Sequence, residues 1–210
     1  MIWVRDHYAD LQHVRGSSMA PTLNPTAHET GQEDTIITRP YQERLPPKQA
    51  GYDNAQENPY GVKRGDVVTF WKPHKPRELS IKRVVAIEGD TVRPRRGYAL
   101  DVEARKKRIQ WCPDGLPEPD ADAITADDED SGKVVVPYGH VWIEGDNWRC
   151  SLDSNDFGPI SKGLILGKAV WVWRSWFKFE AVGDGRDKKE KDHRSRVFQG
   201  KSQIPGVFLE

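Results

Sequence analysis

Short runs of β-branched and aromatic residues recur along the chain, at Thr35–Arg39, Asp66–Trp71, Leu79–Ile87, Val134–Val136, His140–Glu144 and Leu164–Trp173, and Gly, Pro, Asn and Asp punctuate the stretches between them. Side chains branched at Cβ lose rotamers against a helical turn but pack well on a pleated sheet, and the punctuating residues are those that make turns. Long amphipathic helical patterns do not separate the runs. The chain is therefore expected to be mainly β with little helix. Helix has two openings: the first dozen residues, where Val4, Tyr8 and Leu11 share helical spacing, and a short turn after Ser18 that Pro21 could start.

At 210 residues the chain can bury a substantial core as one domain. Two segments between the runs read as long loop insertions: Pro40–Gly61, rich in Pro, Gln and Asn, and Arg95–Lys133, which passes from Arg105-Lys106-Lys107-Arg108 to Asp127-Asp128-Glu129-Asp130. Loops of this length are usually functional or disordered, and the charge runs read as a solvated loop or as a partner-binding arm. Gly183–Arg196 is similarly charged and is expected to be loosely held. The expected organisation is a main domain over 1–180, with insertions at about 40–61 and 95–133, followed by a charged tail over 181–210. With 32 basic and 32 acidic residues the formal net charge is zero, so no nucleic-acid partner is expected. Cys112 and Cys150 are too few for a disulfide framework or a zinc site, although one bridge between them is open. No stretch approaches the roughly 18–20 apolar residues that span a bilayer, and the chain start reads as neither a signal peptide nor a transit sequence.

Two blocks carry chemistry. The first is Gly16-Ser17-Ser18-Met19-Ala20-Pro21-Thr22-Leu23; the second is Leu79-Ser80-Ile81-Lys82-Arg83-Val84-Val85, in a strand-like run. A serine hydroxyl is a poor nucleophile until a base takes its proton, and lysine serves as that base only where burial lowers its pKa. In an extended strand Lys82 shares a face with Val84 and Ala86, while Arg83 points the other way with Ile81 and Val85. An ordinary lysine near 10.4 is neutral about once in two thousand molecules at neutral pH, whereas one desolvated to roughly 7–8 supplies free amine readily.

A third block, Gly145-Asp146-Asn147-Trp148-Arg149-Cys150-Ser151-Leu152-Asp153-Ser154-Asn155-Asp156-Phe157-Gly158-Pro159-Ile160, follows the apolar strand His140–Glu144. Taken alone it reads as a string of Asx-turns; loops leaving a strand also commonly carry sites. With all three blocks in order, the chain resembles the type I signal peptidase family, over about Val14–Leu23, Gly65–Val92 and Pro137–Trp173. Its Asp-Ser-Asn at Asp153–Asn155 is similar to the mitochondrial members, whereas bacterial ones usually have arginine at the position of Asn155.

The resemblance implies a signal-peptidase-like β fold, with Ser18 as nucleophile and Lys82 as general base. It further implies that Ser151 hydrogen-bonds and orients the lysine, and that Asp153 and Gly158 shape the site. Gly16 stands where some bacterial relatives have a serine assisting the oxyanion hole, which leaves the Ser18 N–H as the supported donor and the second donor open. No metal or cofactor is implied. Substrate would be a precursor's sorting signal, bound extended against a strand edge. The family has a membrane-spanning helix just before the nucleophile block; its absence here reads as a trimmed chain, a late start, or anchoring by a partner subunit. The mitochondrial members imply the inner membrane facing the intermembrane space, and a heterodimer. Trp71, Trp171, Val172, Trp173, Trp176, Phe177 and Phe179 could form an aromatic belt on the bilayer or pack the core.

Three rivals differ in what they require. A Ser18–His140–Asp146 triad needs His140 and Asp146 to converge from one strand and its turn. A self-cleaving repressor-type Ser-Lys regulator needs a DNA-binding module and a cleavable linker, for which the residues before Val14 leave no room. A non-catalytic paralogue acting as a binding module would have no reason to keep Ser18, Lys82 and Ser151.

Overall fold

The computed structural model describes residues 9–26, 31, 33–41, 61–94, 132–175, 178–186, 191 and 194–202. Its elements in chain order are β1 (Asp10–His13), β2 (Thr35–Pro40), β3 (Val67–Lys72), β4 (Lys75–Ile87), β5 (Thr91–Arg93), β6 (Val134–Val135), β7 (His140–Glu144), α1 (Ser154–Phe157), β8 (Ile160–Ser161), β9 (Ile165–Ser175), β10 (Lys178–Ala181) and β11 (Arg196–Phe198). The fold is mainly β, as the runs require. Nearly all of both insertions lie outside the described residues, as do Cys112, Trp176 and Phe177.

Among the described residues the strands form two sheets. The larger runs β1-β2-β9-β3-β4-β7-β8, with β10 added alongside β9, and the smaller runs β11-β5-β6. The long β4 joins them to the site: Lys75–Arg83 pairs with β3, whereas Arg83–Ile87 pairs with β7. Between Leu79 and Lys82, therefore, β4 has a strand on one side only among the described residues. At the other end of the sheet β1 pairs, among the described residues, with β2 alone.

Two local expectations fail. Of the first dozen residues, where helical spacing is expected, Val4 and Tyr8 lie outside the described residues, and Leu11 belongs to the strand Asp10–His13 paired to Thr35–Thr38, where cross-strand pairing outweighs a weak local preference. The segment after Ser18 makes turns, closed by Ala20 N–H to Ser17 O (3.0 Å) and Leu23 N–H to Met19 O (2.9 Å), with no helix assigned there.

The strict alternation expected along β4 is also broken. A register shift between Val84 and Ala86 re-phases the strand, so Val84 and Ile87 pack in one core cluster with Val68 and Phe70, and Val85 and Ala86 in another with Trp142. Lys82 stays opposite Val68 and so lies over the first cluster. Fully burying each Val, Ile or Phe there is worth about 1.5–3 kcal/mol, which makes this a rigid floor.

The described residues of the tail expected to be loosely held are built into the fold. Arg186 and Ser195 are buried, β11 pairs with β5, and Gly200 N–H donates to Asp90 Oδ1 at 3.0 Å. Those buried hydrogen bonds outweigh the solvating tendency of a charged composition.

Candidate active site

Ser18 sits in the turns that follow β1, and one asparagine pins that segment. Asn24, at φ 53°, donates its side-chain amide to Val14 O (2.7 Å) and Gly16 O (2.9 Å), while its carbonyl oxygen accepts from Asp34 N–H (2.6 Å). Asx side chains tolerate the left-handed region, which lets one residue grip both sides of the serine's approach. Gly16 contributes a positive φ of 77°.

Lys82 arrives from β4 and is 3% exposed. Its Nζ donates to Ser18 Oγ at 2.7 Å and to Ile81 O at 2.9 Å. Burial pushes its ammonium down to about 8, against the charges of Asp153 and Asp146, while Lys72 adds to the lowering. A free-amine fraction of about a tenth at pH 7 follows, some two hundred times that of an ordinary lysine. An open groove of about 630 Å³ runs past this pair, walled by Gln12–Arg15 on one side and Leu79–Ile81 on the other, over Ile36, Phe70, Leu152 and Phe157.

The third block wraps the pair from behind. Asp153 caps α1, and its carboxylate accepts from Gly145 N–H (2.9 Å), Ser151 Oγ (2.6 Å), Asn155 N–H (3.1 Å) and the Asn155 amide (3.0 Å). Ser151 thus commits its hydroxyl proton to Asp153, which leaves its oxygen only as an acceptor. Gly158 ends α1 at φ 84° with its N–H on Ser154 O at 2.9 Å.

Two backbone details decide the fit. Asn147 N–H donates to Ser18 O at 3.1 Å. Beside it, a Cβ on Gly145 would lie 2.5 Å from Ser18 O and run into the Ser151 hydroxyl. In the sequence Gly145 is one turn former among several; only the packing shows that no side chain fits there.

Beneath lies a buried charge network. Arg83 donates to Asp146 through Nε (2.8 Å) and Nη2 (2.7 Å), and Thr22 Oγ1 donates to the same carboxylate at 2.5 Å. Glu144 accepts from Trp142 Nε1 (2.8 Å), the Asn155 amide (3.1 Å) and Ser195 N–H (3.2 Å), and burial beside the Asp153 charge raises its pKa. Asn155 therefore donates its amide to two carboxylates, Glu144 and Asp153, without bringing a charge of its own.

The alternative triad is not assembled. His140 Nδ1 lies 2.9 Å from Tyr138 O at the start of β7, opposite Ser161, and Asp146 is held by Arg83. Among the described residues no cluster of His, Cys, Asp and Glu could hold a metal ion, and no helix is long and apolar enough to cross a membrane.

Trp171 (47% exposed), Phe179 and Leu11 lie outside the core, and Leu11, Ile37 and Trp171 are cross-strand partners on one sheet face. Trp173 stacks on Phe179 at 5.5 Å, while Val172 between the tryptophans is buried. Core packing therefore does not account for Trp171 or Phe179.

The family description "Signal peptidase, peptidase S26" matches residues 1–176. Mitochondrial inner membrane protease subunit 2 of Saccharomyces cerevisiae is 30% identical over 190 residues, 89% of this chain and 82% of that protein. The proteins of the same name in Mus musculus and Danio rerio are 31% and 32% identical, covering 84% and 85% of this chain and 75% and 73% of theirs.

Proposed function

The chain belongs to the signal peptidase family, peptidase S26, and is a serine-type endopeptidase; from that premise we propose that it cuts sorting signals from precursor proteins with a Ser18–Lys82 dyad. The observation that carries this reading is the 2.7 Å contact between Lys82 Nζ and Ser18 Oγ at a lysine that burial has pushed down to about 8.

A neutral amine has two N–H groups and one lone pair. With one N–H on Ile81 O, the lone pair turns to Ser18 Oγ, 2.7 Å away, and the Ser151 oxygen is the proposed acceptor for the second N–H. Lys82 takes the Ser18 proton as Oγ attacks the scissile carbonyl, then returns it to the leaving amine. An acyl-enzyme forms, and water activated by the same lysine releases it. The Ser18 N–H is the proposed donor to the oxyanion. Substrate lies extended in the groove, where Leu79–Ile81 offers a strand edge with no partner among the described residues. The chemistry calls on no cofactor.

By likeness to its relatives, we place the protein at the mitochondrial inner membrane, facing the intermembrane space, in a heterodimer with subunit 1 of that protease. The exposed Leu11, Trp171 and Phe179 face would rest on the bilayer. We assign residues 1–180 to the catalytic domain.

The test is cleavage of a precursor peptide by the parent, Ser18→Ala and Lys82→Ala, with and without subunit 1. Both variants should be folded and inactive; cleavage surviving in Lys82→Ala would sink the dyad. Flotation of Trp171→Ala/Phe179→Ala with cardiolipin-containing vesicles tests the membrane seat, which fails if binding is unchanged.

A further inference from the structure

The segment after β10 reaches back to the loop behind the dyad. Gly183 O accepts from Arg83 Nη2 at 2.9 Å, and Gly185 N–H donates to Thr22 Oγ1 at 3.0 Å. Next in sequence, the Arg186 side chain is 3% exposed. Its Nε and Nη2 hold Asp184 at 2.8 and 2.9 Å, and its Nη1 lies 3.4 Å from Asp146 Oδ1.

Asp146 is thus shared between Arg83 of β4 and Arg186 of the tail, with Thr22 as third partner. It belongs to the Gly145–Asn147 turn, whose Asn147 N–H holds Ser18 O and whose Gly145 packs under Ser18 and Ser151. Three buried carboxylates, Glu144, Asp146 and Asp153, surround this turn. A working general base must shed its proton close beside them, so the charge they carry has to be balanced by something other than Lys82. Arg83 supplies one cation from the core; the tail supplies the second.

We propose that Arg186 is a positioning residue for the cleavage reaction: it braces Asp146, and with it the turn under Ser18, and offsets the charge of one of the two carboxylates that face Lys82. The inference rests on the Ser18–Lys82 reading. Its chemistry has a definite sign. Lys82 is faced by Asp153 and Asp146 from the third block and by Lys72 from β3; Arg186 is faced by Asp184, Asp146 and Glu144. Both carboxylates facing Lys82 favour its protonated form, so removing the guanidinium strengthens their pull and leaves less free amine at neutral pH. The lost activity should return on raising the pH, which a merely distorted site would not allow.

The experiment is the pH profile of kcat/KM for precursor-peptide cleavage by the full chain with subunit 1, comparing parent, Arg186→Gln, Arg186→Lys and Lys82→Ala. For Arg186→Gln the acid limb should move up by about half a unit, a loss of about threefold at pH 7 that vanishes above pH 9. Arg186→Lys should keep the parent limb. A folded Arg186→Gln whose limb is unmoved, or whose loss is the same at every pH, overturns the proposal. Should Arg186→Gln fail to fold, Asp184→Asn decides. Freed of its main partner, Arg186 then bears more fully on Asp146 and the limb should move down; a limb unmoved or raised overturns the proposal. Activity in Lys82→Ala would instead break the dyad reading.

Discussion

Lys82→Met keeps an unbranched chain in the same slot and removes the ammonium, so it isolates what the charge costs the fold. Burial takes the lysine from its ordinary 10.5 to about 8. That displacement is worth about 3 kcal/mol. Below pH 8 both the folded and the unfolded chain carry the proton, and the folded one bears the whole penalty. Between pH 8 and 10.5 the folded chain releases its proton first, so parent stability climbs with pH; above 10.5 the penalty is gone. Methionine has no such penalty, but it forfeits the bonds to Ser18 Oγ and Ile81 O, at about 1 kcal/mol each and without pH dependence. The inactive variant should therefore be about 1 kcal/mol more stable than the parent at pH 7, and that advantage should reverse by about pH 10. Urea unfolding of both proteins at pH 7, 8.5 and 10 measures the difference directly. Parallel stability curves across that range would refute the reasoning, because they would mean that Lys82 is solvated and cannot act as a base near neutrality.

Other outcomes follow from the same geometry. The acid limb of kcat/KM should fall near pH 8, with activity rising about tenfold from pH 6 to 7 and about tenfold again from 7 to 9, as read by initial rates of peptide cleavage. Gly145→Ala should leave a folded but nearly inactive protein, because its Cβ displaces Ser18 or Ser151; parent-like kcat would show that the turn yields freely. Arg83→Met takes the two-point partner from the buried Asp146, leaving it only Arg186 at 3.4 Å, and should cost about 3 kcal/mol in denaturant unfolding, whereas a loss under about 1 kcal/mol would mean that water reaches the network. Asn24→Ala should lower kcat and stability together, since it releases the Val14 and Gly16 carbonyls; an unchanged kcat would show that Ser18 is positioned without that clamp.

Strand positions were legible because a β-branched run between turn formers has little choice of local structure. Thr35–Arg39 and His140–Glu144 are found within a residue of the expected bounds. The shorter strands, such as Thr91–Arg93 and Ile160–Ser161, lie below the length at which alternation can be recognised, and they exist because a neighbour pairs with them. Asp10–His13 shows the same dependence.

Of the site, the chemical types were legible along the chain: a serine in a turn, a lysine in an apolar strand, and a loop dense in hydroxyls and carboxylates. Tertiary structure decided which of them meet. Ser18 and Lys82 come within 2.7 Å because the turns after β1 lie against the half-paired stretch of β4. Lys82 acts near neutrality because the fold removes it from water, and a shift of that size needs the surroundings of the whole core. Gly145 and Arg186 were invisible as site residues for the same physical reason. A missing Cβ matters only where another segment occupies its space, and a charge in a basic tail is a solvated charge until the fold brings it to Asp146.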